Sequence, residues 1–347
     1  MELVRVEPGS TWLAGRRPFV RLLAEAASGL GGQLELEAAY GHVGRYTAPD
    51  GTVRSIFGNA LGLNREAAAM LAADKDYTAR LLAGAGLPAV EGVLVFSPAY
   101  RARMALKNAA VARTLGGEAL ALEAVERFGF PVVLKPNTGS EGRGVHVARS
   151  PEELRNDLAR LFGSDDRVRV ERFVPGADTR VVVLDGEVRL AYRRMPLAVT
   201  GDGERNVRAL AEAALSVLAS EHRGPKVAAD DPRVVRRLAA EGLSLSAVPE
   251  AGRVLPLLDG ANLSTGGRVE DLAECLPGPI EAMAIRAAEV VGLRLAGVDI
   301  LVRDQSEGAG GAVVLEVNAA PGLDYYASVG LAQWARARAV VTAALAG

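Results

Sequence analysis

GVDILVR (residues 297–303) and AVVLEVN (residues 312–318), near the C-terminus, are the stretches that decide the fold of this chain. Apolar and polar residues alternate in both, which is typical of β-strands, and the glycine-rich stretch 304–311 between them predicts a hairpin. One face of each strand is apolar and is predicted to point into the core: Val298, Ile300, Val302, Val313, Leu315 and Val317.

Polar side chains occupy the other face of this predicted hairpin. If it closes at Arg303 and Ala312, Asp299 lies directly opposite Glu316, and Asn318 projects from the same face. Two carboxylates with Cβ atoms about 5 Å apart repel each other, so a cation is expected between them. Oxygen ligands suit Mg²⁺, which takes one or two protein carboxylates and substrate phosphates. The alternative, a solvated face whose acids pair with Lys or Arg, stays open on these strands alone.

A second segment combines the apolar strand GFPVVLKP (residues 129–136) with the glycine-rich NTGSEGRG (residues 137–144) and the strand-like VHV (residues 145–147). Backbone N–H groups of a flexible loop can close over phosphate oxygens, and Lys135 below the loop supplies a compact positive charge. The segment is not a P-loop, because the Gly-Lys-Ser/Thr order and a following helix are missing. It is not a dinucleotide fingerprint either. An ordinary glycine-rich turn is the alternative.

A third segment, VRVERFVPGADTRVVVL (residues 168–184), contains two predicted strands joined by a Pro-Gly turn. Glu171 lies at the end of the first strand. Asp178 and Arg180 begin the second, two residues apart and therefore on one face. The segment thus predicts a hinge with charged groups on both sides.

The order of these motifs, Lys-Pro, glycine-rich loop, Glu before the hinge and Glu-x-Asn, resembles the ATP-grasp superfamily of carboxylate–amine ligases. Four stretches look most like the ATP-grasp module of cyanophycin synthetases and bifunctional glutathione synthetases: GDG (201–203), EGLSL (241–245), NLSTGG (262–267) and EVNAAPG (316–322). The resemblance covers roughly residues 65–330. It implies an α+β fold with layered α/β architecture, in which two α+β lobes clamp ATP beside a small N-terminal α/β subdomain.

The implied division places an N-terminal subdomain at residues 1–88, a first ATP-grasp lobe with the phosphate loop at 89–184, and a second lobe at 185–347. The second lobe is expected to carry a helical insertion and the metal-binding hairpin. Within the N-terminal subdomain, periodicity predicts a helix over 17–27 and a strand over 33–39.

The resemblance also implies roles for individual positions. Residues expected to bind ATP are Lys75, Lys135, Ser140, Gly142, Gly144, Glu171, Phe173, Val174 and Asp178. Residues expected to hold Mg²⁺, as two ions bridged by the glutamate, are Asp299, Glu316 and Asn318. Residues expected to meet an acyl phosphate are Arg180, Arg194 and Asn262. Residues expected to set substrate specificity, with core packing as the alternative for the two tyrosines, are Gly322, Tyr325 and Tyr326.

The activity that the resemblance implies is ATP-dependent amide or peptide bond formation through an acyl phosphate, on amino acids or small peptides. Positioning and charge neutralisation dominate such chemistry, so Lys, Arg and Mg²⁺ suffice without a His or Cys nucleophile. Two alternatives remain: a phosphotransferase of the same fold, and a nucleotide-binding regulator that has lost catalysis. The complete set of lysines, acids and amide argues against the regulator.

The composition agrees with this interpretation. With 49% hydrophobic residues and a formal charge of −2 over 347 residues, the chain has no global attraction to nucleic acid or to an anionic membrane. No apolar run approaches the ~18 residues of a membrane helix. The single Cys275 fits a reducing cytoplasm and is expected to be a small buried side chain. Related enzymes often dimerise, so a homodimer is a further expectation.

Overall fold

The computed structural model describes residues 1–139, 142–220, 226–272, 275–303 and 311–347. Helices and strands are interleaved along these ranges, which confirms the predicted α+β class. The prediction for Ser140 in the phosphate loop falls outside the described residues.

The N-terminal part forms a small sheet covered by one helix. Its elements are β1 (Leu3–Arg5), α1 (Pro18–Gly29), β2 (Gln33–Glu37), β3 (Val43–Thr47) and β4 (Val53–Phe57). The strands are antiparallel in the order β1-β2-β3-β4. Helix α1 begins at a proline and buries Phe19, Leu22 and Leu23 in the same core as Leu34 and Leu36 of β2. The predicted helix and strand of this region are confirmed, with ends shifted by one or two residues.

Two helices, α2 (Glu66–Ala73) and α3 (Lys75–Gly84), lead into the first lobe. Asp74 lies between them and caps α3, because its side chain accepts a hydrogen bond of 3.0 Å from the backbone of Tyr77. The start of α3 is also fixed from outside: Lys75 N donates to Asn137 O at 3.1 Å, and Asp76 N donates to Asn137 Oδ1 at 3.0 Å. These bonds hold Lys75 beside the strand that carries Lys135.

The first lobe is built around the sheet order β5-β8-β6-β7. Its elements are β5 (Gly92–Phe96), α4 (Pro98–Lys107), α5 (Ala109–Ala112), α6 (Glu118–Phe128), β6 (Val132–Pro136), β7 (His146–Ala148), α7 (Pro151–Phe162) and β8 (Arg167–Arg172). One face of the sheet packs against α6 and α7, with Leu134, Val168 and Val170 in a common core with Leu154 and Leu158. Because side chains alternate along a strand, the residues between them point to the opposite face.

The second lobe has a larger sheet in the order β13-β10-β9-β14-β15 and a two-stranded insertion β11-β12. Its elements are β9 (Ala177–Leu184), β10 (Glu187–Met195), β11 (Ala198–Thr200), α8 (Val207–Ser220), α9 (Pro232–Ala239), β12 (Val254–Pro256), β13 (Arg268–Asp271), α10 (Gly278–Val291), β14 (Leu295–Val302) and β15 (Ala312–Asn318). Helix α10 covers one face, and the insertion, with α8 and α9, has a core of its own.

Strand β9 belongs to this larger sheet, where it pairs with β10 and β14. The division from sequence grouped this strand with the first lobe, so the two sheets meet earlier than expected, at the Pro-Gly turn. Gly176 in that turn lies against the backbone of β14, where a Cβ atom would meet Val302 O at 3.1 Å. The close approach brings Asp178 and Arg180 onto the second sheet.

The C-terminal hairpin confirms that the two acids face each other. Asp299 pairs with Glu316, as predicted. A bulge between Asp299 and Ile300 then shifts the register by one residue, so Val302 rather than Arg303 pairs with Ala312. The prediction was therefore correct at the polar end of the hairpin and wrong at the loop end.

This shift reverses the faces of β15 beyond the bulge. Val314 is buried at 2% exposure, whereas Val313 and Leu315, which were predicted to lie in the core, are only partly buried. A bulge adds one residue to one strand and so reverses the alternation of the residues that follow it. Leu315 consequently lines the cavity described below.

The chain ends in α11 (Asp324–Ala327) and α12 (Leu331–Ala346). Helix α12 packs against α1, so the N-terminal sheet shares its core with the C-terminal helix and with β9 and β10. In the part of the chain that the structure describes, no helix has the length and apolar character needed to span a bilayer. Cys275 is exposed in the segment before α10, so the expectation of a buried side chain was wrong.

Candidate active site

A cavity of 460 Å³ lies between the sheet of the first lobe and the five-stranded sheet of the second. Its size is within the range of cofactor and small-molecule sites. Most of the predicted site residues line it: Lys75, Lys135, Gly142, Glu171, Phe173, Val174, Asp178, Arg180, Arg194, Asn262, Asp299, Glu316 and Asn318. Residues far apart in sequence therefore meet in one place.

On the first-lobe side, four buried charged side chains form what we call the β8 cluster: Asp76, Lys135, Arg169 and Glu171. Lys135 Nζ lies 2.7 Å from one carboxylate oxygen of Glu171, and Arg169 Nε donates to the other at 2.7 Å. Lys135 and Glu171 line the cavity, whereas Arg169 and Asp76 are not among its lining residues. The carboxylate plane of Glu171 is thus held from both ends.

On the second-lobe side, four charged side chains form what we call the β9 cluster: Asp178, Arg180, Arg194 and Asp299. Arg180 donates to both oxygens of Asp299, one of them at 2.8 Å from Nη2. Arg194 donates to both oxygens of Asp178 at 2.7 and 3.0 Å, and its Nη2 also lies 3.0 Å from Asp299. Strand register explains the cluster, since Asp178 pairs with Arg194 and Asp299 with Arg180.

The pKa values of the two acids of the β9 cluster are shifted in opposite directions. Burial raises the pKa of Asp178 and outweighs the lowering by Arg194, and the charge of Asp299 adds to the rise. Burial also acts to raise the pKa of Asp299, but Arg180 and Arg194 together outweigh it and hold that pKa below the ordinary value. The pKa of Arg194 is raised, because Asp299 and Asp178 outweigh the effect of its burial. The cluster therefore loses negative charge more easily than positive charge, which suits an anionic ligand.

The three oxygen-bearing side chains predicted for magnesium lie at one edge of the cavity. Glu316 Oε1 is 3.1 Å from Lys75 Nζ, and Asn318 Nδ2 is 3.4 Å from Asp299 Oδ2. The acids pair with Lys75, Arg180 and Arg194, as the alternative interpretation of the hairpin expected. The face is buried at Asp299, which is 3% exposed, rather than openly solvated.

This donor set suits Mg²⁺ better than it suits a metal ion whose ligands all come from the protein. Within the described ranges, no three His, Cys, Asp or Glu side chains come together as a metal-binding group. Two carboxylates and one amide leave positions for phosphate oxygens and water, which is how Mg²⁺ is commonly bound. The charge of Asp299 is already held in place by two guanidinium groups.

Comparisons with known proteins agree with this geometry. Residues 102–201 match the family described as the D-Ala–D-Ala ligase C-terminus, and residues 260–333 match the RimK-like ATP-grasp domain. The chain belongs to the ATP-grasp superfamily. The matched segments include both strands of the C-terminal hairpin and the phosphate loop.

Two curated relatives are longer proteins than this chain. Cyanophycin synthetase of Nostoc sp. is 33% identical over 261 residues, which is 73% of this chain and 26% of the relative. The glutathione biosynthesis bifunctional protein GshAB of Listeria monocytogenes is 30% identical over 213 residues, or 59% of this chain and 28% of the relative. The chain thus spans little more than a quarter of either relative.

A solved structure confirms the ATP-grasp fold. The bifunctional glutathione synthetase from Pasteurella multocida superposes with a TM-score of 0.58 at 18% identity, covering 94% of this chain and 43% of that protein. At this identity the likeness concerns the fold alone. It includes the N-terminal part of the chain, which the sequence motifs did not reach.

In the ATP-grasp cavity, the glycine-rich loop approaches the second lobe at Gly142. Gly142 has a φ of +67°, and a Cβ atom on it would lie 2.3 Å from Asn262 Nδ2. Gly144, which is not among the lining residues, has a φ of +68°, and a Cβ atom there would meet Pro136 at 2.9 Å. Other residues rarely adopt this backbone conformation, so glycine suits both positions, with Gly144 against β6 and Gly142 against Asn262 of the second lobe.

The predicted specificity residues lie away from the ATP-grasp cavity lining. Tyr326 is fully buried, stacks on Tyr192 at 4.7 Å between ring centroids, and donates its hydroxyl hydrogen to Asp271. The structure therefore favours the packing alternative for Tyr326. Tyr325 is partly buried against the same core, and a Cβ atom on Gly322 would lie 3.3 Å from Asn59.

The sequence motifs missed Arg169 and Asp76, which are 2% and 1% exposed. A signal for Arg169 was present in RVRVER (residues 167–172), where charges alternate with valines in a strand that has one core face. A charged second face on a buried strand requires partners, and those partners come from α3 and β6.

Proposed function

We propose that this chain is an ATP-dependent carboxylate–amine ligase that forms an amide or peptide bond and releases ADP and phosphate. One observation carries the proposal: the β8 cluster and the β9 cluster face the same cavity from the two lobes. One side offers groups for a nucleotide, and the other offers cations for a transferred phosphoryl group and an acyl phosphate. The families matched by the chain support the same reaction class.

The first lobe would hold ATP. Lys75 and Lys135 would neutralise phosphate charge below the glycine-rich loop. Glu171 would accept a hydrogen bond from the adenine amino group, with Phe173 and Val174 along the ring. The loop contact with Asn262 supports its role as a cover that excludes water, which would otherwise hydrolyse an acyl phosphate.

The residues that would hold two Mg²⁺ ions are Asp299, Glu316 and Asn318. When bound, Mg²⁺ would neutralise charge on the β- and γ-phosphate oxygens. Lys75, which lies 3.1 Å from Glu316, keeps that carboxylate at the cavity edge. Asp178 is predicted to bind the ribose hydroxyls. It also accepts hydrogen bonds from Arg194 and would hold that side chain in place.

Two displacements make up the proposed reaction. A carboxylate oxygen of the first substrate attacks the γ-phosphorus, and the bond to the β–γ bridging oxygen breaks, which gives an acyl phosphate and ADP. An amine then attacks the activated carbonyl, phosphate leaves, and the amine loses a proton. Arg180, Arg194 and Asn262 line the cavity where these anions would form. Both arginines are only 9% exposed, so water screens their charge weakly.

We further propose amino acids or small peptides as the carboxylate and amine, a cytoplasmic location, and a homodimer as the assembly. Tyr325 and Gly322 stay candidates for specificity, because both lie in the segment that follows the predicted metal ligand Asn318. The net charge of −2 supports small-molecule substrates over nucleic acid or membrane.

The test is a matrix of amino acids and amines scored for ADP and phosphate, with the products identified by mass spectrometry. Added hydroxylamine should trap the acyl phosphate as a hydroxamate if the amine is omitted. Glu316→Gln and Lys135→Ala should lower ADP formation well below that of the unsubstituted protein, with the fold intact. A phosphorylated product without hydroxamate, or normal turnover in either variant, would contradict the proposal.

A further inference from the structure

Arg169 is the largest side chain that is almost completely buried in the described part of the protein, at 2% exposure. Its guanidinium binds three different partners: Nε donates to Glu171 at 2.7 Å, Nη1 donates to Asp76, and Nη2 donates to the carbonyl oxygen of Val90 at 3.0 Å. A buried charge with this many bonds is costly to build and is retained only where the partners are satisfied.

The register of the sheet shows why the partners are needed. Arg169 on β8 lies directly opposite Lys135 on β6, and two like charges in this position repel each other. Glu171, two residues along β8, accepts from both, with one oxygen for each cation. Gly92 on the neighbouring strand makes room, because a Cβ atom there would lie 3.0 Å from the guanidinium carbon of Arg169.

Asp76 connects the β8 cluster to helix α3. Asp76 lies in the first turn of α3, next to Lys75, and its other oxygen pairs with Arg80 at 2.7 Å. The residue that binds Glu171 therefore also fixes the start of the helix that carries Lys75. Arg169 therefore links Glu171, which is proposed to bind the base, to helix α3, which carries the Lys75 proposed to bind the phosphates.

We propose that Arg169 is a positioning residue for nucleotide recognition, which orients the Glu171 carboxylate so that it selects a base with an amino group over one with a carbonyl oxygen. The inference rests on the proposed function, because it takes Glu171 as the group that meets the base. A carboxylate accepts from the exocyclic amino group of adenine and repels the oxygen that hypoxanthine carries in its place. Selectivity of this kind depends on a fixed carboxylate plane, since a free one turns away from the oxygen.

The experiment measures binding of ATP and of inosine triphosphate by titration calorimetry in magnesium chloride. For the unsubstituted protein we expect ATP to bind at least about 100-fold more tightly. Arg169→Gln should lower this ratio by about tenfold, because Glu171 keeps Lys135 alone. Arg169→Lys should lower it by about threefold, since an ammonium group cannot bind three diverging partners at once. The ratio of two affinities is insensitive to the folded fraction, so a merely structural role would leave it unchanged.

Arg167 provides a matched control on the same strand. It pairs with Asp74 at 3.0 Å and so also links β8 to the start of α3, but it is 38% exposed. Arg167→Gln should leave the ratio unchanged. If Arg169→Gln does not fold, the double variant Arg169→Gln with Asp76→Asn is used in its place, because it removes one buried charge of each sign.

The outcomes separate the two proposals. An unsubstituted protein that binds neither nucleotide would count against the proposed function itself. The unsubstituted protein could prefer ATP and the preference could be the same in folded Arg169→Gln, in the double variant or in Arg169→Lys. That result would overturn only the role of Arg169. A fall in the ratio of similar size in Arg167→Gln would overturn it as well.

Discussion

The β8 cluster and the β9 cluster are built from the same parts and arranged for different tasks. Each has two acids and two bases, and each contributes side chains to the cavity lining. In the β8 cluster, one base, Arg169, lies behind the residues that line the cavity and holds them. In the β9 cluster, both bases line the cavity. The first arrangement fixes the position of the Glu171 carboxylate, and the second places two positive charges at the cavity surface.

The difference also appears in how the acids are shared. Glu171 gives one oxygen to each of its two cations. Asp299 is bound through both oxygens by Arg180 and is approached by Arg194 at 3.0 Å. When two guanidinium groups contact one carboxylate, one of them can turn to an incoming phosphate at little cost, because the other still pairs with the carboxylate. Similar charged residues therefore suit the recognition proposed for one lobe and the catalysis proposed for the other.

The largest effect is expected from Asp299→Asn in the β9 cluster. The substitution keeps the shape but leaves two buried arginines with less negative charge, so ADP formation should fall by about 10³-fold. The free energy of unfolding should fall by about 3–5 kcal/mol, because a buried pair has lost its partner. A coupled ADP assay and thermal unfolding measure the two effects.

Asp185→Asn is the control for this prediction. Asp185 forms a bidentate pair with Arg294 at 2.7 and 2.9 Å in the same lobe, but the pair is 40–46% exposed. Exposed pairs contribute little, so this variant should keep its turnover and change stability by less than about 1 kcal/mol. Equal losses in the two variants would show that the β9 cluster has no special role.

A smaller effect is expected from Lys135→Met in the β8 cluster. Glu171 keeps Arg169, so the fold should tolerate the change, while ATP affinity should fall by about 10- to 100-fold through loss of a charge-assisted bond. Calorimetry of ATP binding measures it, with Lys107→Met at the exposed end of α4 as the control. Unchanged affinity would show that the first-lobe cations do not contact the phosphates.

The predicted contact between Asp299 and Glu316 was within reach of sequence analysis, because two apolar strands and a short loop allow few registers. The bulge that moves Val313 and Leu315 out of the core was not, since it adds a residue without any glycine or proline to mark it. The alternation of apolar and polar residues along a strand predicts which side chains share a face. A bulge depends instead on how the strand pairs with its neighbour, which this alternation does not show.

Two other features also needed the tertiary structure. The sheet membership of β9 depends on pairing with β14, which lies more than a hundred residues later in the chain. The environment of Tyr326 depends on Tyr192 and Asp271, which come from two other strands. Lys135, Glu171 and Glu316, which line the cavity, were predicted from motifs. Arg169 lies in one of the quoted segments but was given no role, and its role was found from its contacts.

Asp178→Asn sharpens the comparison within the β9 cluster. Arg194 would lose a charged partner but keep Asp299, so turnover should fall by about tenfold. If Asp178 also meets the ribose, the preference for ATP over 2′-deoxy-ATP should fall by about threefold. Steady-state kinetics with both nucleotides separates the two tasks. Reduced turnover with an unchanged preference would leave Asp178 as a partner of Arg194 alone, and unchanged turnover would contradict that partnership.

The smallest effect is a difference in pH dependence between the two acids of the β9 cluster. The pKa of Asp299 is lowered from 3.8, so its contribution to stability is present above that pH and is lost as the pH falls through the lower folded value. The pKa of Asp178 is raised from 3.8, so its contribution is present at low pH and is lost as the pH rises through the higher folded value.

Thermal unfolding between about pH 3 and pH 7 should therefore give opposite trends in the two variants. Relative to the unsubstituted protein, Asp178→Asn should gain stability as the pH rises above 3.8, because asparagine cannot ionise. Asp299→Asn should lose less stability than the unsubstituted protein as the pH falls below 3.8. Parallel curves for the two variants would mean that burial and the arginines do not separate the pKa values of these two acids, and the opposite shifts would then be wrong.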